Sequence, residues 1–387
     1  MIRTVFKVLA LSLFGIVFSL GLLEIGVRLS GFSASEMKTT DTKTGLRTYE
    51  PNSSRVYRTS CYENVIETNN LGFHAYDYPR QKPSMSANGE RVKRIVVIGD
   101  SFTEAVQVTR EELFTTLLQK TLNALSTDGF EYEVIPFGVN GNGSYANLQY
   151  LAAYGLSFEP DLVIDMFTED NDPANDAYLS DLDAKISATV ASSASMGTAP
   201  TLSAKQYLKG WTKKIVKKSA LVIKVYSAYL GWKSKTNIEE ATDVNALPLE
   251  LQVQLAEMSP VVKDAWERQE KLLKAMRDLS TKNNAKFLVV SIASGSRIHD
   301  DLRTEYLKQF PDPSKVDIAM PGKVLQDITA RNEIPYLALY EGFREKTKTD
   351  MRLSGHSCDL HWNQVGHSWA NDIISSHLLA HPELLPL

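Results

Sequence analysis

Five short apolar runs punctuate the chain: RIVVIGD at 94–100, YEVIPFGV at 132–139, DLVIDMF at 161–167, KFLVVSIAS at 286–294 and IPYLALY at 334–340. Each is too short for a buried helix and most are rich in β-branched residues, as expected for strands covered on both faces. Between them lie stretches of helical period. Residues 111–126 place Leu113, Leu117, Leu118, Leu122 and Leu125 on one stripe, and 262–279 place Val262, Trp266, Leu273 and Met276 on another. Shorter helices are predicted at 147–154 and 369–379. Strands alternating with helices predict a parallel α/β sheet.

Two stretches break the alternation. Residues 187–203, SATVASSASMGTAPTLS, are low in complexity and predict a loop. Residues 205–235 follow with nine lysines, no acidic residue, and Trp211, Tyr226, Tyr229 and Trp232 among aliphatic side chains. A lid helix with a solvated lysine face fits this composition, as does a helix lying on an anionic membrane or lining a polyanionic path. Together they make a basic helical insertion at about 187–258.

The first thirty residues differ from the rest. Arg3 and Lys7 precede sixteen uncharged residues, VLALSLFGIVFSLGLL, and Glu24 and Arg28 follow. Sixteen helical residues span about 24 Å, and Ile25–Val27 extend that toward the ~30 Å of a hydrocarbon core. The small residues beyond Leu23 form no clean cleavage signal, so the reading is an uncleaved anchor through residues 8–27. Arg3, Lys7 and the amino terminus favour a cytoplasmic N-terminus, with the rest of the chain on the extracytoplasmic side. Residues 1–28 are thus expected as the anchor, 29–60 as a Ser/Thr-rich linker and 61–387 as the folded domain.

A chain of 387 residues that is 43% hydrophobic and 23% charged can bury a sizeable core. Its formal charge of -4 gives no reason to expect nucleic acid as a partner. Cys61 and Cys358 are the two cysteines. They are too few for a disulfide scaffold or a four-cysteine zinc site, and can form one bridge.

Candidate chemistry sits where the apolar runs stop. Ser101 follows the first run at Gly99-Asp100 and opens a helix, where unpaired N–H groups and a helix dipole would favour a nucleophile; an ordinary helix cap has the same signature. GVNGNGSYANLQ at 138–149 is a Gly/Asn-rich turn able to bring backbone N–H groups to a ligand. TEDNDPAND at 168–176 ends the third run, and its Asn171 can donate to a developing oxyanion. Asp359 and His361 precede the closing helix, and a carboxylate–imidazole pair can serve a serine nucleophile. All these segments converge on the carboxyl edge of a parallel sheet.

In their order and spacing these blocks resemble the SGNH/GDSL hydrolases. The resemblance runs from about Thr68 to Leu379. It implies Ser101 as nucleophile, His361 as base, Asp359 as its orienting carboxylate, and Ser101, Gly141 and Asn171 as the oxyanion hole. It also implies a three-layer α/β/α sandwich with a five-stranded parallel sheet, flavodoxin-like, here preceded by one transmembrane helix. Two features depart from the family pattern: Asp170 stands where a glycine is usual, and Cys358 stands three residues before His361, where an aspartate is common. The implied activity is an esterase removing O-acyl groups, foremost O-acetyl, from envelope or exported carbohydrate, with no metal or organic cofactor. An O-acyltransferase using the same triad and a non-catalytic polysaccharide-binding module are the alternatives. A third reading takes His356, Cys358, Asp359, His361 and His367 as a metal cluster.

Overall fold

A computed structural model describes residues 2–29, 38–59, 61–193, 246–356 and 361–385, with isolated positions between 219 and 229. The basic stretch 205–235 and the loop 194–203 therefore fall almost wholly outside the described residues. Ahead of the sheet stand the helix α1 (Ile2–Leu29) and two antiparallel hairpins. These pair β1 (Lys38–Thr40) with β2 (Arg47–Tyr49), and β3 (Ser54–Arg58) with β4 (Glu63–Glu67). α1 contains a segment, Val5–Leu29, long and apolar enough to cross a membrane by length and composition, as an anchor or a signal sequence would be.

The stretch expected as a linker to residue 60 is thus paired from Lys38 onward. Its strands carry polar sequence without alternation, and tertiary ties hold them to the domain. Tyr49 is buried with Ile66 and Val106, the Tyr154 hydroxyl donates to Asp41 at 2.6 Å, and the Tyr150 hydroxyl donates to the Arg47 carbonyl.

The five apolar runs form one sheet: β5 (Arg91–Gly99), β6 (Phe130–Gly138), β7 (Leu162–Thr168), β8 (Lys286–Ile292) and β9 (Tyr336–Ala338), all parallel, in the order β6-β5-β7-β8-β9. Numbered within the sheet this is 2-1-3-4-5, the flavodoxin-like order, whose ligand crevice opens at the carboxyl end of the first strand. Helices cover both faces. Ser144–Ala153, Pro260–Lys282 and Met320–Arg331 pack on one face with Leu148, Leu151, Trp266, Leu273, Met276 and Leu325. Phe114–Leu125, Leu339–Lys346 and Gln364–Ala380 cover the other with Phe114, Leu118, Leu122, Phe343, Trp369 and Ile374. Each such fully buried side chain contributes roughly 1.5–3 kcal/mol relative to exposure. The fold is a three-layer α/β/α sandwich around a five-stranded parallel sheet.

Two elements differ from expectation. The fifth strand ends at Ala338, and Leu339 begins a helix because Leu339 and Phe343, four apart, bury the same face. Residues 187–193, expected as loop, complete the helix Leu182–Ser193, whose Ile186 and Val190 lie against the core.

Candidate active site

Register brings the polar punctuations together. Gly99 at the end of β5 pairs with Gly138 of β6, and Met166 of β7 lies on its other side. Asp100-Ser101, the 139–143 turn and Glu169–Asn171 therefore leave the sheet side by side. Ser101 opens a four-residue helix, Ser101–Glu104, capped by Asp100, whose side chain accepts the Phe102 N–H at 3.0 Å. The packing is tight: a Cβ on Gly138 would collide with the backbone of Thr103 and Glu104, and one on Gly99 with the Thr103 side chain. Ala105 ends the helix at φ +50°, a left-handed conformation costly for a residue with a Cβ.

The partner of Ser101 comes from the far end of the chain. His361 Nε2 lies 2.8 Å from Ser101 Oγ, so the neutral ring can accept the hydroxyl proton. His361 stands on an excursion between Ser354 and Asn363 that is pinned at its base. The Asn363 side chain accepts the Val365 and Gly366 N–H groups and donates to the carbonyls of Leu353 and Gly355. The His356 N–H donates to the His361 carbonyl at 2.9 Å. Phe102 lies 5.0 Å from the His361 ring, and Trp362 anchors the turn against Phe102 and Phe343. Asp359 and Cys358 lie outside the described residues. Cys61 is disulfide-bonded, and Cys358 is the chain's one other cysteine.

Gly141 has φ +76° and is exposed, and a Cβ there would meet only the Arg47 guanidinium, so its loop opens outward beside β5. Arg47 of the first hairpin borders that loop and donates to the Asn140 carbonyl at 3.3 Å. Asn171 is held from two sides. Its Nδ2 donates to Asp100 Oδ2 at 2.9 Å, and its Oδ1 accepts from Asn175 at 3.1 Å. One amide hydrogen is thus committed to Asp100, which leaves one to offer a ligand.

Asp100, which the sequence offers as a helix cap, does cap the Ser101 helix, but it also fixes Asn171 and so ties Ser101 to the end of β7. Burial pushes its carboxyl upward, opposed by the Phe102 N–H, Asn171, Thr168 and the nearby His361. The spacing of Asp100 and Asn171 in sequence gives no signal of this contact. Further carboxyls lie under the same edge. Burial pushes Asp165 up to about 7, with Asn147 Nδ2 donating to it at 3.0 Å. Asp172 is held well above the usual carboxylate range, chiefly by burial and then by the charge of Asp100. Asp170, beside Asn171, is pushed up to about 6, again chiefly by burial.

His367 is turned to a different task. It is buried, its Nδ1 accepts the Phe114 N–H at 3.2 Å, and its ring stacks on Phe114. It is a packing residue of the helical layer, which removes one member of the metal cluster considered above. Among the described residues no group of three or more His, Cys, Asp or Glu side chains is placed to hold a metal ion. A cavity of about 70 Å³ opens between Phe102, Trp362, Ile298, His299 and His356, of which Phe102 and Trp362 are next to Ser101 and His361 in sequence. A larger groove along Ile186, Val190, Lys271 and Lys274 shares no residue with the site.

No family model and no curated protein matches the sequence. Among solved structures, TesA aligns over 74% of this chain and 98% of its own, at 14% identity and a TM-score of 0.37. The lipase/acylhydrolase from Enterococcus faecalis aligns over 75% and 96%, at 16% and 0.37. The acetyl xylan esterase AlAXEase aligns over 74% and 99%, at 18% and 0.39. Likeness at this level decides nothing about chemistry. The strand order, the serine at the end of β5 and the histidine within hydrogen-bonding distance of it agree with what the sequence resemblance implies.

Proposed function

We propose that the chain is a membrane-anchored serine esterase acting on O-acyl groups of envelope or exported carbohydrate. The observation that carries the chemistry is the 2.8 Å contact between Ser101 Oγ and His361 Nε2, groups from opposite ends of the domain. Ser101 Oγ attacks the acyl carbonyl carbon while its proton passes to His361 Nε2. The Ser101 and Gly141 N–H groups and the second amide hydrogen of Asn171 hold the resulting oxyanion. Collapse of the tetrahedral intermediate breaks the bond to the alcohol oxygen, and His361 returns the proton to that leaving group. Water repeats the sequence on the acyl-serine, releasing the acid and restoring Ser101. Asp359 takes the role the resemblance gives it, orienting the imidazole through its other nitrogen. An alcohol in place of water would make the same residues an acyltransferase.

The cavity beside Phe102 supports a short acyl group. Two observations support an extracytoplasmic domain: α1, with its basic residues at the N-terminal end, and the disulfide at Cys61, a bond that persists in oxidising compartments. Residues 1–28 are then the anchor, and the hairpins from Lys38 belong with the 61–387 hydrolase domain and its basic insertion at about 187–258.

The test uses the full chain in detergent with p-nitrophenyl esters from acetyl to palmitoyl, with and without a sugar acceptor. Turnover highest on acetyl or propionyl ester, together with labelling of Ser101 by an organophosphonate, is the expected result. No turnover and no labelling would leave a binding module in its place.

A further inference from the structure

The residues described between 219 and 229 lie against α1. The Ser219 hydroxyl donates to Glu24 of α1 at 2.8 Å, and the Leu221 N–H donates to the same carboxylate oxygen at 2.9 Å. Ser219 also accepts the Val222 N–H at 3.2 Å, the bond of a helix N-cap, and positions 221, 222, 224, 225, 228 and 229 are helical. Glu24 thus sits at the positive end of this second helix, where a carboxylate is favoured. Glu24 is also the first charge after the apolar run of α1, and it pairs with Arg28 at 2.7 Å. If α1 spans a bilayer, this charged pair marks where hydrocarbon gives way to headgroups.

At that level the second helix presents an apolar face. Val222, Val225 and Tyr229 follow the i, i+3, i+7 spacing of one helical stripe and are 43%, 60% and 49% exposed. The apolar side chains of α1, Leu20, Leu22, Leu23 and Ile25 among them, are likewise half exposed. The sequence around the helix carries nine lysines and no acidic residue from 205 to 235. An apolar stripe within a lysine-rich sequence is the composition of a helix lying in a membrane interface, where lysines are drawn to anionic headgroups.

We propose that the helix beginning at Ser219 lies in the headgroup region of a bilayer containing anionic phospholipid, as a second membrane contact beside α1. This rests on the anchor reading of α1 and is independent of the esterase chemistry. It turns a single attachment into two, which restrains how the domain is tilted over the surface.

The test places a fluorophore on Val225→Cys in the full chain under non-reducing conditions, where Cys61 remains in its disulfide. The protein is reconstituted into vesicles of phosphatidylcholine alone or mixed equally with phosphatidylglycerol, each with or without nitroxide-bearing phospholipid. Flotation at high salt reports α1; quenching by the lipid nitroxide reports the second helix. The expected result is flotation in both lipids and loss of most of the fluorescence in the mixed vesicles, with markedly less in phosphatidylcholine. The same label on Leu125→Cys, an exposed site on the domain, stays bright. Failure to float would overturn the anchor reading and the proposal with it. Flotation with an unquenched Val225 label overturns the proposal alone. Equal quenching in the two lipids overturns the anionic preference, and equal quenching at positions 225 and 125 overturns a specific contact.

Discussion

Ser101 and His361 stand 260 residues apart in sequence, and different forces deliver them to the same point. Ser101 is placed by sterics. It follows a strand buried on both faces, and its helix packs so closely on Gly99 and Gly138 that a single Cβ would displace it. His361 is placed by polar ties. It stands on an excursion beyond the last strand that depends on the side chain of Asn363, on backbone bonds across the loop, and on aromatic packing of Trp362. A site built this way has one partner fixed by the core and the other adjustable by the surroundings of a loop, so perturbations of the two should differ in kind.

The largest effect tests whether the two act as one unit. Ser101→Ala and His361→Ala should each lower turnover by orders of magnitude, and the double variant should be scarcely worse than either. Additive losses in kcat/KM would mean that the 2.8 Å contact is not the catalytic one. Next, Asn171→Ala should cost about 10²–10³ in kcat, the scale of one lost oxyanion donor. Because Asn171 also donates to Asp100, a KM-dominated loss in its place would show that it only positions the Ser101 helix.

The histidine side should respond to the disulfide. Cys61 adjoins Tyr62, whose ring lies 4.6 Å from the His356 ring at the base of the His361 excursion. Cys61→Ser should lower the melting temperature by an amount matching roughly 2–4 kcal/mol. Its kcat should fall more than its affinity for an organophosphonate-sized ligand, since Ser101 stays in place while the base loosens. An unchanged kcat would separate the hairpin from the catalytic loop.

The smallest effect concerns the floor beneath Ser101. The Asp165 carboxyl titrates near 7 in the folded protein against an ordinary value of 3.8. Between about pH 4 and pH 7 the unfolded chain has lost this proton while the folded chain retains it, so stability falls as pH rises through that window and levels off above it. Asp165→Asn removes the titration and leaves a similar shape. It should therefore melt higher relative to the parent at pH 8 than at pH 5, by thermal denaturation at both. A pH-independent difference would mean that Asp165 does not carry the proton.

Much of this was readable from the chain. The five apolar runs gave the sheet because strands buried on both faces need continuous hydrophobic sequence, and the residues that end them mark one edge. Ser101, Asn171 and the 138–149 turn stand at those ends, whereas Gly141 within that turn and the role of His361 came from the resemblance. The contact from Asn171 to Asp100 was not readable, since it joins two strand ends whose adjacency depends on strand order. Neither were the hairpins from Lys38 to Glu67: KTT, RTY and SRVYR lack a period-2 pattern and owe their structure to Tyr150, Tyr154 and one another. The helix at Leu339 was hidden because IPYLALY satisfies a strand pattern until Phe343 is counted.

The distance from α1 to the first hairpin sets a leash. Leu29 ends the apolar helix and Lys38 begins β1. Nine steps of chain, however extended, reach about 30 Å. Arg47, nine strand-and-turn positions farther along the same hairpin system, already touches the loop that carries Gly141. With α1 in a bilayer, the Ser101–His361 site is confined to a shell above that surface little deeper than the membrane is thick. An esterase held this way would sample an area and not a volume. Its rate on a polymer would follow how often acylated segments cross that shell, which makes local surface density the natural variable for its kinetics in place of bulk concentration.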